Sequence, residues 1–208
     1  MSRAKSQDIT LYFDSSKCVH ARRCVLGAPD VFRPGTPGGW MFPEHARAAE
    51  IARVVDSCPS GALSYVRHDG GMGEQVPMVN TVRPWENGPN ELRGDIRIGD
   101  EDPATRVLLC RCGQSKNKPY CDNSHIDAGF TATGEPLGDP DGETPVGGVM
   151  KVKPLPDGPL VITGSVEVIA GSGRRLAAGD RHVLCRCGHS KNKPFCDGSH
   201  AEVGFEAP

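Results

Sequence analysis

Residues 110–125 read CRCGQSKNKPYCDNSH, and residues 185–200 read CRCGHSKNKPFCDGSH. They differ only at Gln114/His189, Tyr120/Phe195 and Asn123/Gly198, at an offset of 75 residues. The likeness continues on both sides. His125 is followed by IDAGF and His200 by AEVGF, while VRPWENGP from Val82 aligns with VKPLPDGP from Val152 at an offset of 70. The chain therefore contains an internal duplication whose second copy carries about five extra residues, predicted as a hairpin-tip insertion at 171–179.

Each copy opens with alternating apolar residues, at 91–98 and more clearly at 160–169, after an Asn-Gly-Pro or Asp-Gly-Pro turn. A further predicted strand, at 106–109 or 182–184, leads straight into the first cysteine. Each repeat is thus a small β unit that presents C-x-C at a strand end and its remaining ligands on a loop. One such unit is too small for a core of its own, so the two are expected to pack on each other as a pseudo-two-fold pair.

The chain has nine cysteines in three groups of three: Cys18, Cys24, Cys58; Cys110, Cys112, Cys121; Cys185, Cys187, Cys196. An odd number cannot pair completely into disulfides, and clustered thiols in a reducing compartment read first as metal sites. C-x-C-x8-C-x3-H offers three thiolates and an imidazole, a set that suits tetrahedral zinc or an iron–sulfur cluster. Asp122 is placed to cap the turn carrying His125. Lys116, Lys118, Lys191 and Lys193 stand beside the ligand loops, either as ordinary surface charge or to offset cluster charge or dock an acidic redox partner.

The run Cys-Asp-Gly-Ser-His at 196–200, behind C-x-C and Lys-Pro-Phe, closely resembles the CDGSH iron–sulfur family of mitoNEET-like proteins. The first copy departs only by Asn123 at the glycine position. The resemblance implies one [2Fe–2S] cluster per motif, on Cys110, Cys112, Cys121 and His125 and on Cys185, Cys187, Cys196 and His200. It also implies a monomer that mimics the homodimer of single-motif relatives. Three thiolates and a neutral imidazole leave an oxidised core less negative than four thiolates do. Its potential is therefore expected between roughly −400 and +300 mV. Because the imidazole titrates, both clusters are expected to be lost faster as pH falls toward about 6, and His125→Cys with His200→Cys should slow that loss.

Residues 1–68 form a different module, ahead of a Gly-rich linker at 69–76; the repeats are assigned to 77–135 and 136–208. Ile9 to Phe13 reads as a strand. Pro43-Glu44 opens a helical pattern on Ile51, Val54 and Val55, which Cys58 continues inward until Pro59 ends it. The coarse pattern is β-α-β-α-β. Cys18-x2-Ala21-x2-Cys24 with Cys58-Pro59 resembles a single-cluster bacterial ferredoxin whose second cysteine position is Ala21. Cys18-Val19-His20 and Cys58 to Leu63 also resemble small divergent ferredoxin-like domains. Two outcomes fit: a [3Fe–4S] cluster on Cys18, Cys24 and Cys58, which is favoured, or a [4Fe–4S] cluster completed by His20, another residue or solvent.

Composition narrows the rest. The chain has 208 residues, 44 of them Gly or Pro (26 and 18), 37% hydrophobic residues and a formal charge of −2. No stretch approaches the ~20 apolar residues of a membrane span. The middle segment, 69–145, holds 7 basic and 14 acidic side chains, which opposes a nucleic-acid partner. No dinucleotide fingerprint, P-loop or nucleophile–base pair stands out, so no enzymatic activity is predicted. The expected protein is α+β: a small ferredoxin-like N-terminal domain followed by two β-rich CDGSH repeats. It is expected to be a cytoplasmic monomer that transfers electrons to or from a redox partner protein. Cluster storage, sensing or transfer to an apo iron–sulfur acceptor is the alternative, and a zinc-bound structural module the remote one.

Overall fold

A computed structural model of the chain describes residues 1–135 and 146–208. The first residues assigned above to the second repeat, 136–145, lie outside them. The chain divides into two compact units, Met1–Gln75 and Val76–Pro208.

In the first unit, β1 (Ser2–Lys5), β2 (Ile9–Phe13) and β3 (Leu63–Arg67) form an antiparallel sheet in the order β1-β2-β3. The short helix α1 (Arg23–Gly27) and the longer α2 (Ala48–Asp56) lie between β2 and β3 in sequence. Helix α2 forms because Ala48, Ile51, Ala52 and Val55 recur at helical spacing and are all buried. Glu50 in its first turn accepts from the Arg47 backbone N–H, satisfying an end group and complementing the dipole. The helix stops at Asp56, where Ser57 Oγ donates to Val54 O at 2.6 Å. The core joins Ile9 and Leu11 of the sheet to Ile51, Val55, Val31 and Phe32.

Two details differ from the expected β-α-β-α-β pattern. The segment between the helices contains only an isolated bridge, Phe32 to Met41, and Pro43–His45 is a single 3-10 turn. The extra strand is β1, whose mostly polar residues lie at the sheet edge and carry no buried face to announce it.

The second unit holds β4 (Asn80–Pro84), β5 (Asn90–Ile98), β6 (Ala104–Leu109), β7 (Val149–Pro154), β8 (Leu160–Ile169) and β9 (Arg175–Leu184). Its pairings are reciprocal between the copies. β4 lies antiparallel to β5 of its own copy and parallel to β8 of the other. β7 lies antiparallel to β8 and parallel to β5. β6 and β9 complete the hairpins on β5 and β8. Each long strand changes partner at a register shift that holds a glycine of positive φ, Gly94 or Gly164. A Cβ there would come within 2.2 Å of Asn80 Oδ1 or 2.3 Å of Val149 O, so only glycine admits the crossing strand.

The exchange lets one core, with Val82, Leu92, Ile96, Met150, Ile162 and Val168 all fully buried, serve both copies. The extra residues of the second copy lengthen strands rather than a tip. Both hairpins have a five-residue tip, 99–103 and 170–174, and Arg175–Gly179 continue the ladder of β9.

Candidate metal centres

Strand β6 ends at Leu109 and delivers Cys110-Arg111-Cys112. The returning loop pairs with it: Leu109 bridges Tyr120, Cys110 N–H donates to Pro119 O at 2.8 Å, and Cys121 N–H donates to Leu108 O at 3.0 Å. Cys110 and Cys121 are thereby set side by side. The second copy repeats this at the end of β9: Leu184 bridges Phe195, Cys185 donates to Pro194 O at 2.8 Å, and Cys196 donates to Val183 O at 2.9 Å.

The loop between the cysteines is held by its own small polar residues. Ser115 Oγ donates to Tyr120 O at 2.6 Å and accepts from Asn117 N–H at 3.0 Å. Asp122 accepts from Lys116 N–H at 2.8 Å and from Ser124 N–H at 3.0 Å. Ser190 and Asp197 do the same in the second copy, and hydrogen bonds from Ser199 and Lys191 hold the Asp197 carboxyl far below its usual range. Asp122 therefore ties the ligand loop closed, while the residue that precedes the short helix α3 (Ser124–Asp127) is Asn123, at φ 72°. Gly198 precedes α4 (Ser199–Glu202) at φ 91°. The left-handed conformation explains the one departure in the motif, because asparagine is among the few other residues that adopt it readily.

The four lysines divide into two kinds. Lys116 and Lys191 are exposed, whereas Lys118 Nζ donates to Ser115 O at 2.9 Å and Lys193 Nζ to Ser190 O at 2.6 Å. Lys118 also sits 5.7 Å from the centre of the Phe205 ring, across the two copies.

The ligand atoms come in pairs. Cys110 Sγ lies 3.8 Å from Cys112 Sγ, and Cys121 Sγ lies 3.6 Å from His125 Nδ1. In the second copy the separations are 3.7 Å for Cys185 and Cys187 and 3.5 Å for Cys196 and His200. Two sulfurs each about 2.3 Å from one tetrahedral metal stand about 3.8 Å apart, and a sulfur with an imidazole nitrogen about 3.6 Å apart. All four separations match. Among the described residues, no three or more His, Cys, Asp or Glu side chains converge as a single ion would require. The separations therefore allow two ligands on each of two metals.

The electrostatics agree. A hydrogen bond shared between the Cys110 and Cys112 sulfurs lowers the pKa of Cys110 and raises that of Cys112. A metal cation between the two sulfurs would stabilise both as thiolates. Burial pushes Cys121 up to about 11 and also raises Cys187. Burial lowers the pKa of His125, keeping the neutral imidazole that a metal needs. Backbone N–H groups point at the sulfurs: Gln114 to Cys112 at 3.4 Å, Asn123 to Cys121 at 3.5 Å, and His189 and Gly198 to Cys187 and Cys196, both at 3.4 Å. Such bonds offset negative charge on a bound cluster. They are invisible to ligand-spacing arguments. So are Gly113 and Gly188, of positive φ, which lie between the copies; only their identity in both repeats hints at them.

In the first unit, Cys18, Cys24 and Cys58 line one cavity of about 540 Å3, together with His20, Ala21, Trp40 and Ser60. All three cysteines are half-buried, and burial raises the Cys24 pKa. Cys58 Sγ lies 3.6 Å from Ser60 Oγ. His20 and Arg22 take left-handed conformations, φ 52° and 62°, which wind the loop between Cys18 and Cys24 around the cavity. Three cysteines and His20 therefore line the same cavity, and Ala21 adds no further donor.

Comparison with known proteins gives three likenesses. Residues 87–126 and 157–201 each match the family described as iron-binding zinc finger, CDGSH type. Residues 4–68 match the divergent 4Fe-4S mono-cluster family. The chain is also 37% identical over 62 residues to the uncharacterized protein YjdI of Escherichia coli strain K12. That alignment spans 30% of this chain and 79% of that protein, and the O157:H7 counterpart matches equally.

Proposed function

Because this chain belongs to the CDGSH-type iron-binding family, with a divergent 4Fe-4S mono-cluster domain ahead of its two CDGSH regions, it is an iron–sulfur protein, and we propose that it carries electrons between partner proteins. The observation that supports this most strongly is the reciprocal pair of Cys3His sites, each with two ligand pairs at the spacing of two tetrahedral metals. A bound iron–sulfur cluster supplies reversible one-electron exchange.

The chain's own residues do the rest. Cys110, Cys112, Cys121 and His125 hold one [2Fe–2S] cluster, and Cys185, Cys187, Cys196 and His200 hold the other. Hydrogen bonds from the loop amides stabilise the sulfurs in either oxidation state. The half-buried histidines bring each site toward solvent, where a partner protein can approach. The reciprocal strand pairing supports a pseudo-two-fold arrangement of the two copies. In the first unit Cys18, Cys24 and Cys58 hold a third cluster. Its family favours [4Fe–4S], and [3Fe–4S] is the product if the fourth iron has no ligand.

Iron and acid-labile sulfide analysis with EPR tests this reading. About four irons per chain come from the two motifs, and about seven or eight when the first unit is filled. Reversible reduction with clusters retained supports the carrier. Loss of clusters to an apo-ferredoxin during turnover would favour cluster transfer instead. A colourless protein with zinc and no sulfide would refute both.

A further inference from the structure

Ser60 follows Cys58 by two residues, lines the same cavity and is 4% exposed although it carries a hydroxyl. Its oxygen lies 3.6 Å from Cys58 Sγ, within hydrogen-bond reach of an atom as large as sulfur. The same oxygen accepts from Ala62 N–H at 3.3 Å. The backbone fixes both sides of this contact. Cys58 N–H donates to Val55 O at 2.9 Å, which holds the cysteine against the end of α2. Asp14 N–H donates to Ala62 O at 2.8 Å, which ties the turn after Cys58 to the residue that follows β2.

The direction of the bond follows from the chemistry of its two partners. A hydroxyl gives one proton and accepts as well, and the Ala62 N–H takes its accepting side. A buried hydroxyl proton needs an acceptor, and among the described residues the contact that offers one is Cys58 Sγ. A cysteine bound to iron is a thiolate with no proton to give, so Ser60 is the donor. In the second unit, Cys112, Cys121, Cys187 and Cys196 each accept from the backbone N–H two residues along. Behind Cys58 stands Pro59, which has no N–H, and the residue two along presents its hydroxyl. A donor to a ligand sulfur draws off negative charge, and it does so to greater effect once the cluster has gained an electron, so it raises the potential.

We propose that Ser60 is a positioning residue for the iron–sulfur centre of the first unit: its hydroxyl, held by Ala62, donates to Cys58 Sγ, orients that ligand and raises the reduction potential of the centre. Ser60 acts through Cys58 and is not itself a ligand. This rests on the reading of Cys18, Cys24 and Cys58 as cluster ligands. It concerns the first unit alone, so the two Cys3His centres serve as internal references.

The test is a potentiometric titration of the loaded full chain, followed by the EPR signal of the first unit. Ser60→Thr and Ser60→Val match in shape and differ by the hydroxyl, and Ser60→Ala removes it without added bulk. Threonine should titrate with the unmodified chain. Valine and alanine should each lower the first-unit midpoint about tenfold in electron affinity, about 59 mV for one electron, and leave the Cys3His centres in place. That is the scale of one hydrogen bond to a charged group. A merely structural role would move the unfolding temperature and not the midpoint. Unchanged midpoints in valine and alanine, or a threonine midpoint that falls as far as valine, would overturn the proposal. If valine and alanine lose the centre while threonine keeps it, the hydroxyl serves only the Ala62 turn and the proposal falls. If the two larger residues lose it, alanine against the unmodified chain decides by the same readings. An unmodified chain whose first unit holds no iron would instead refute the cluster reading of that unit.

Discussion

Replacing Gly113 by alanine tests whether the two repeats meet at their metal-binding turns. Gly113 has φ +81°, and the new Cβ would stand 2.4 Å from Cys187 O, 2.9 Å from its carbonyl carbon and 3.2 Å from its Cα. A left-handed alanine costs about 1–2 kcal/mol. Forcing a methyl into a backbone that must retreat by about an ångström adds about 1–3 kcal/mol. The expected total is about 2–5 kcal/mol. Gly99→Ala is the control. Its φ is +52° and its Cβ would meet no heavy atom within 4 Å, so it carries only the conformational cost. Guanidinium unfolding of the loaded full chain, followed by far-ultraviolet circular dichroism and visible absorbance, separates the two. Gly113→Ala should unfold earlier than Gly99→Ala and disturb the second site, although the substitution lies in the first. If the two variants agree within about 0.5 kcal/mol, the turns do not touch.

Two other outcomes follow from single side chains. Asn80 is 1% exposed; its Nδ2 donates to Gly148 O at 3.0 Å and Ser165 O at 2.9 Å, and its Oδ1 accepts from Asp95 N–H at 3.1 Å. Asn80→Ala leaves these backbone groups without that side chain and should cost about 2–4 kcal/mol in thermal unfolding; a loss below about 1 kcal/mol would refute its role as the tie between copies. Burial, the Asp56 charge and a hydrogen bond to Asp56 raise the Tyr65 hydroxyl to about 12. Below pH 10 both folded and unfolded forms keep this proton. Between 10 and 12 only the folded form does, so stability falls as pH rises through that window. Tyr65→Phe should remove that component and the last step of the phenolate absorbance titration, and a missing step near pH 10 instead would contradict it.

The candidate donors are legible in linear order because a bound metal demands donors of fixed type at fixed spacing, and the duplication repeats the pattern. Strands β5, β6, β8 and β9 were equally legible, since each buries one face and alternates accordingly. Strand β1 was not, because an edge strand with polar side chains leaves no apolar alternation to detect. In sequence the hairpin insertion reads as a tip, because Gly171, Gly173 and Gly179 suggest turns, whereas the long ladder of β9 depends on its partner strand.

From the chain alone came the duplicated motif, the donor residues and the separate N-terminal module. These depend on local chemistry, which sequence order preserves. Tertiary structure alone decided that β4 and β7 cross between copies and that the two C-x-C turns meet at Gly113 and Gly188. Those relations join residues 54 to 86 positions apart. They are set by backbone pairing and by glycine-permitted contact, which leave no periodic trace in the order of residues.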